Sequence, residues 1–182
     1  IVDASTGIWR GVEALCRWTD PSTGKVVPPS LFIPEAERLG LIGDIGEWGL
    51  ERSVALCKKL CLDENDDFFL SVNMSFSQVM DEGFADRVAK VLKVYAYPPG
   101  KLDLEVTESM EFNFNSVPEK TIDRFRGMGI NLALDDFGTG YSGFNQLKNL
   151  PAEYVKTERE FVMNIEHDTQ VQHLYHIISE LA

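Results

Sequence analysis

Short runs of alternating apolar and polar residues take turns with longer stretches whose apolar residues recur every three or four positions, the periods of strands and of helices. Ile8 to Trp18 (IWRGVEALCRW) reads as a strand, preceded by the turn signal Ser5-Thr6-Gly7 and followed by Asp20-Pro21-Ser22-Thr23-Gly24. Pro34 is placed to start a short helix. Asp44 to Cys61 reads as a longer helix with Leu50, Val54, Cys57 and Cys61 on one stripe, which puts both cysteines in the core. Phe68 to Ser75 is the next strand, and the helix after it presents Phe84, Val88, Leu92 and Tyr95 before Pro98-Pro99-Gly100 ends it. The cycle then repeats: strand Leu102 to Thr107, helix Pro118 to Met128 closed by Gly129, strand Ile130 to Asp136 and strand Tyr154 to Glu158. An amphipathic helix from about Asp168 closes the chain, with Val171, Leu174, Ile178 and Leu181 as its buried stripe. Such alternation predicts a parallel α/β fold. Five strands, with Ile1 to Asp3 as a candidate sixth, are fewer than a closed eight-stranded barrel needs, and a last helix with no strand after it leaves a sheet edge open. The missing part is expected downstream or in another chain, and an opening at Ile1 rather than Met leads us to expect a fragment of something longer.

Composition narrows the function classes. With 44% hydrophobic and 25% charged residues among 182, the chain can bury one core, and disorder is excluded for most of it. Asp plus Glu number 29 against 17 Lys plus Arg, a formal net charge of -12 that works against polymeric nucleic acid as a partner. No apolar run approaches the ~20 residues of a membrane-spanning helix, so no membrane contact is expected. Three cysteines cannot pair completely and lack zinc-finger spacing, which points to a cytoplasmic location. Trp9, Trp18 and Trp48 read as packing residues, and His167, His173 and His176 as surface ones.

Strand parity singles out a polar face. Phe68, Leu70, Val72 and Met74 oppose Ser71 and Asn73; Leu102, Leu104 and Val106 oppose Asp103, Glu105 and Thr107; Ile130, Leu132 and Leu134 oppose Asn131, Ala133 and Asp135; Val12, Ala14, Cys16 and Trp18 oppose Glu13 and Arg17. Each strand sends apolar residues toward covering helices and carries a polar or acidic one near its carboxyl end, where parallel barrels place their chemistry. Glu13, Asn73, Glu105 and Asp135 would meet at that mouth. Three carboxylates together repel unless a cation neutralises them, and an all-oxygen donor set favours Mg²⁺ or Mn²⁺. Asp136 and Glu108 are placed either to hold a second metal or to orient its waters. Asp135 also opens the run DDFGTGYS, a strand leading into a glycine-rich loop that can approach a phosphate or move as a lid. Lys156 has the polar parity on its strand and is either a surface lysine or a cation that orients water or a phosphate oxygen.

These residues carry a resemblance to the EAL-domain family, the cyclic-di-GMP phosphodiesterases of bacterial signalling. Glu13-Ala14-Leu15 spells the family's name, and the run Phe32-Ile33-Pro34-Glu35-Ala36-Glu37 with Gly40-Leu41-Ile42, then Val72-Asn73-Met74-Ser75, Leu104-Glu105-Val106-Thr107-Glu108-Ser109, DDFGTGYS and Lys156 follow in family order. The resemblance covers essentially residues 1–182 and implies one EAL domain truncated at both ends, a modified TIM (β/α)8-type barrel lacking its last strands in this chain. It further implies that Glu13, Asn73, Glu105 and Asp135 are metal ligands, that Asp136 attends a second metal, that Lys156 contacts the attacking water and that Glu108 supports the metal shell. Leu15, Arg17, Gly138, Thr139 and Gly140 are implied to contact substrate. The implied reaction is two-metal hydrolysis of cyclic di-GMP to the linear dinucleotide by a homodimer fused to GGDEF or sensory domains. The family's Glu-Gly-Val-Glu motif, whose first Glu is its general base, is absent here, and Glu158 stands where an Asp is usual. A receptor that binds the nucleotide without cleaving it, or a protein-interaction module, is the alternative.

Overall fold

The structure is a computed structural model and describes residues 1–65, 67–107, 116–138, 150, 152–163 and 165–181. Its centre is a five-stranded, all-parallel sheet of β1 (Gly11–Ala14), β4 (Phe69–Asn73), β5 (Leu102–Thr107), β6 (Asn131–Phe137) and β7 (Tyr154–Thr157), adjacent in that order. A second, two-stranded antiparallel sheet pairs β2 (Trp18–Thr19) with β3 (Val26–Val27). Among the described residues the α-helices are α1 (Pro29–Arg38), α2 (Ile42–Lys59), α3 (Phe76–Val79), α4 (Phe84–Val94), α5 (Val117–Met128), α6 (Arg159–Met163) and α7 (Thr169–Leu181). None of the described helices is long and apolar enough to cross a membrane.

Alternation decides what each face of the sheet does. Leu70, Leu102, Leu104, Val106, Leu132 and Leu134 are buried and join Leu50 and Val54 of α2, Val88 and Leu92 of α4 and Ile122 and Phe125 of α5 in one core. Removing each such side chain from water stabilises the fold by about 1.5–3 kcal/mol. The opposite face is concave. Lys156 on the last strand reaches Glu13 on the first at 3.3 Å, although a flat sheet would hold those strands about 19 Å apart. Phe69 and Tyr154 likewise stack across it with ring centroids 5.8 Å apart. The sheet is therefore rolled into an open barrel with the polar parity inside. Gly11 permits the roll at its start, since a Cβ there would lie 2.7 Å from the Phe69 carbonyl oxygen.

Several expectations are corrected. The strand expected over Ile8 to Trp18 is broken: β1 stops at Ala14, and Trp18–Thr19 belong to the separate hairpin. The Asp20 carboxylate causes this, accepting hydrogen bonds from the Ser22 N–H at 2.8 Å and from the Ser22 and Thr23 hydroxyls, which turns the chain back on itself. Ile1 to Asp3 adds no parallel strand; Val2 forms one antiparallel bridge to Trp9. Helix α1 starts at Pro29, where a missing N–H is harmless, and Pro34 lies inside it. Helix α2 ends at Lys59, so Cys57 is buried but Cys61, left-handed at φ 54°, is exposed. Trp9, Trp18 and Trp48 are exposed, with only the edge of Trp18 against Phe32. Tyr95 is half-buried with its hydroxyl on Glu51, and Tyr97 is the tyrosine that enters the core. His167, His173 and His176 are exposed as expected, and the Asp168 carboxylate caps α7. The side chains of Leu174, Ile178 and Leu181 lie outside the described residues.

Candidate functional site

Glu13 near the end of β1, Asn73 at the end of β4, Glu105 on β5 and Lys156 on β7 meet on the concave face at the carboxyl ends of their strands. Register explains the meeting: Glu13 lies beside Ser71, Asn73 beside Glu105, and Glu105 beside Ala133, all on the polar parity. Ala133 leaves the room through which Lys156 reaches past β6. The Lys156 Nζ donates to Glu105 Oε1 at 2.5 Å and lies 3.3 Å from Glu13 Oε2. Asn73 Nδ2 donates to Glu13 Oε1 at 3.0 Å, and the Ser71 hydroxyl donates to Glu105 Oε1. The turn after β4 is fixed from both sides: Met74 N–H donates to the Glu105 carbonyl at 2.9 Å, and Ser75 with Gln78 forms a reciprocal cap on α3.

Burial sets the electrostatics. Glu105 is about 1% exposed, and its burial pushes its carboxyl above the usual range even though Lys156 and Ser71 pull the other way. Asp103, one layer below on the same strand, is pushed up to about 6 by burial, with the Glu105 and Glu153 charges adding to it and the bond from Asn131 opposing it. Burial opposes the charge of Lys156, yet its bond to Glu105 and the charges of Glu105, Asp135 and Glu13 hold its ammonium above the ordinary lysine value. At neutral pH this lysine is a cation and a hydrogen-bond donor.

Consecutive residues of a strand point to opposite faces, so strict alternation turns one of Asp135 and Asp136 away from the site. A bulge removes that conflict. Leu134 faces Val155 and Phe137 faces Thr157, three steps on β6 against two on β7, and Asp136 takes a left-handed φ of 55°. Asp135 acts on Lys156 through its charge, and Asp136, exposed overall, has its carboxyl raised by partial desolvation and by the charges of Asp135 and Glu13, with Lys156 opposing. Gly138 follows at φ 106° with an exposed backbone. Leu15 and Arg17 are exposed just beyond β1, with the Arg17 guanidinium donating to the Cys16 carbonyl at 2.8 Å. Glu158 is half-buried beyond the end of β7. Glu108, Thr139 and Gly140 lie outside the described residues.

Among the described residues no three His, Cys, Asp or Glu side chains are grouped closely enough to hold one ion. The Lys156 ammonium lies between Glu13 and Glu105 and supplies the positive charge that two adjacent carboxylates require. The donor set still fits a hard divalent cation in kind: it consists of oxygens from carboxylates and one amide, and Glu105 Oε2 is buried with no hydrogen-bond partner among the described residues. Asp103 and Asn131, joined at 2.8 Å beneath the site, were readable only as members of the polar parity; no motif marks them.

The family described as EAL domain matches residues 1–182. MucR of Pseudomonas aeruginosa, a bifunctional diguanylate cyclase/cyclic di-GMP phosphodiesterase, is 37% identical over 166 residues, 91% of this chain and 24% of its own length. The oxygen sensor protein DosP of Escherichia coli is 37% identical over 162 residues, 87% of this chain and 20% of its own length. This chain therefore spans about a quarter or less of those relatives. Among solved structures, the PaMucR phosphodiesterase in complex with c-di-GMP superposes with a TM-score of 0.86 at 37% identity, covering 99% of this chain and 72% of that one.

Proposed function

This chain belongs to the EAL-domain family, and from that premise we propose that it binds cyclic di-GMP at the carboxyl ends of its parallel strands and hydrolyses one phosphodiester bond to the linear dinucleotide. The observation that carries the reading is the convergence of Glu13, Asn73, Glu105 and Lys156 from four strands on one opening, with a buried carboxylate oxygen of Glu105 left unpartnered. In the reaction a water oxygen bonds to phosphorus, one ester P–O bond breaks, the water gives up a proton and the departing ribose oxygen gains one. Lys156, held protonated, cannot take the proton from water; it donates to the attacking water or to a phosphoryl oxygen. Glu13 and Glu105 hold the lysine in place, and Asn73 orients Glu13. Glu13, Asn73, Glu105 and Asp135 would hold Mg²⁺ or Mn²⁺, with Asp136 and Glu108 serving a second ion, and such cations stabilise charge on phosphoryl oxygens and acidify water. Leu15, Arg17 and the loop at Gly138, Thr139 and Gly140 would contact the nucleotide.

The same reading puts the domain in the cytoplasm as a homodimer, joined to GGDEF or sensory domains in a longer protein. Its test is incubation with cyclic di-GMP and Mg²⁺ or Mn²⁺, with chromatographic detection of the product. Linear dinucleotide is expected. Tight binding without turnover would replace hydrolysis by reception, and no binding at all would reject both.

A further inference from the structure

Ser71 is the middle residue of β4, 2% exposed, with Glu13 beside it on β1 and Asp103 beside it on β5. Its hydroxyl reaches the diagonal neighbour on β5 and donates to Glu105 Oε1, the same oxygen that accepts from Lys156, while Glu105 Oε2 is buried and has no hydrogen-bond partner among the described residues. That asymmetry is the informative feature. A carboxylate held by a lysine alone is free to turn about its terminal bond, because an ammonium on a flexible stem donates equally well to either oxygen. A second donor on a rigid strand removes the freedom and decides which oxygen stays open. The cleft of about 410 Å³ lined by Glu37, Ile42, Phe76, Asp81 and Arg87 mixes both signs of charge and has nothing to select an occupant. The buried Asp63 is already tied to Lys58 at 2.6 Å.

We infer that Ser71 is a positioning residue for the site: its hydroxyl loads Glu105 Oε1 so that Oε2 is presented, unpaired, to a divalent cation. This rests on the reading of Glu105 as a cation ligand. The readout is Mn²⁺ binding to the otherwise metal-free chain, followed by the loss of the free-ion electron paramagnetic resonance signal, with no nucleotide present. Ser71→Ala is expected to weaken Mn²⁺ about tenfold, and Ser71→Thr, which keeps the hydroxyl, to stay within about threefold of the unaltered protein. Ser71→Ala binding as tightly as the unaltered chain would overturn the inference. Equal weakening by Ala and Thr would overturn it too, because a packing effect would then account for the loss. If the unaltered chain itself binds no Mn²⁺, the cation reading fails and takes this inference with it, a result distinct from the other two because the fault shows before any substitution.

Discussion

Asp103 offers the sharpest test of how the polar face is built. Its carboxyl is 1% exposed and is pushed up to about 6 from an ordinary 3.8, chiefly by burial, then by the charges of Glu105 and Glu153, with the Asn131 bond and the Lys156 charge opposing. A gap of about two pH units at ~1.4 kcal/mol each makes the ionised form about 3 kcal/mol less compatible with the folded chain than the neutral one. The sign follows from proton counting. Between pH 3.8 and about 6 the folded chain keeps this proton while the unfolded chain has released it, so the contribution is fully present below 3.8 and lost as pH rises through 6. Asp103→Asn keeps the shape, and its Oδ1 can still accept from Asn131 Nδ2, now 2.8 Å from the carboxylate. In EDTA, urea unfolding followed by far-ultraviolet circular dichroism should show the variant about 1–3 kcal/mol more stable than the unaltered chain at pH 7.5, with the difference closing toward pH 4. Circular dichroism is preferred because the three tryptophans are exposed. Groups that titrate alike in both proteins cancel in the difference. A difference that is flat with pH, or below about 0.5 kcal/mol at pH 7.5, would refute the reasoning.

Lys156→Met removes the ammonium that sits 2.5 Å from a carboxylate with no exposed surface. Discounted for the partial exposure of the lysine, the loss at neutral pH should be about 2–3 kcal/mol and should shrink as acid protonates Glu105, measured by the same unfolding assay. Gly46→Ala places a Cβ against the buried Gln78 side-chain amide, closer than van der Waals contact allows. Because Gln78 is held in the α3 cap, a destabilisation of about 1–3 kcal/mol is expected, and one below ~0.5 kcal/mol would mean that the side chain moves freely. Glu13→Ala and Asp135→Asn should each lower hydrolysis of cyclic di-GMP at least about 100-fold while leaving the melting temperature nearly unchanged, since each deletes a charge from a repelling cluster; an unaltered rate in either would contradict the assignment.

Where the sequence was informative, alternation carried the information. Leu102 to Thr107 folds over the expected span, and the parity that set Glu105 against Leu104 puts that glutamate on the concave face with Glu13 and Asn73. Parity failed where a local interaction outranked it. The Asp20 carboxylate nucleates a hairpin that takes Trp18 out of the main sheet, and the extra residue in β6 brings Asp135 and Asp136 to one side, a departure no alternation contains. Helix ends failed for a related reason, since the stripe through Cys57 continues to Cys61 in periodicity but not in backbone, which turns left-handed there. The rolling of the sheet was legible only through the family resemblance, because curvature is set by contacts across the barrel such as Phe69 on Tyr154.

The site and the stability of the fold draw on the same atoms in opposite directions. Glu105 and Asp103 are carboxyls carried inward by parity, and burial pushes both toward their neutral forms. A chain selected for stability alone would place leucines there. What opposes that push at Glu105 is positive charge beside it, and the chain supplies Lys156 from the far edge of the rolled sheet. One lysine shared between Glu13 and Glu105, with the charge of Asp135 also acting on it, leaves the opening acidic. On the proposed function, a dianionic nucleotide would be repelled by such an opening until further cations entered, so affinity for it should rise and fall with divalent cation concentration rather than stand independent of it. On the proposed function, the excess of buried and half-buried carboxylates that costs the fold stability is the feature that would draw the cations in, and with them the phosphate.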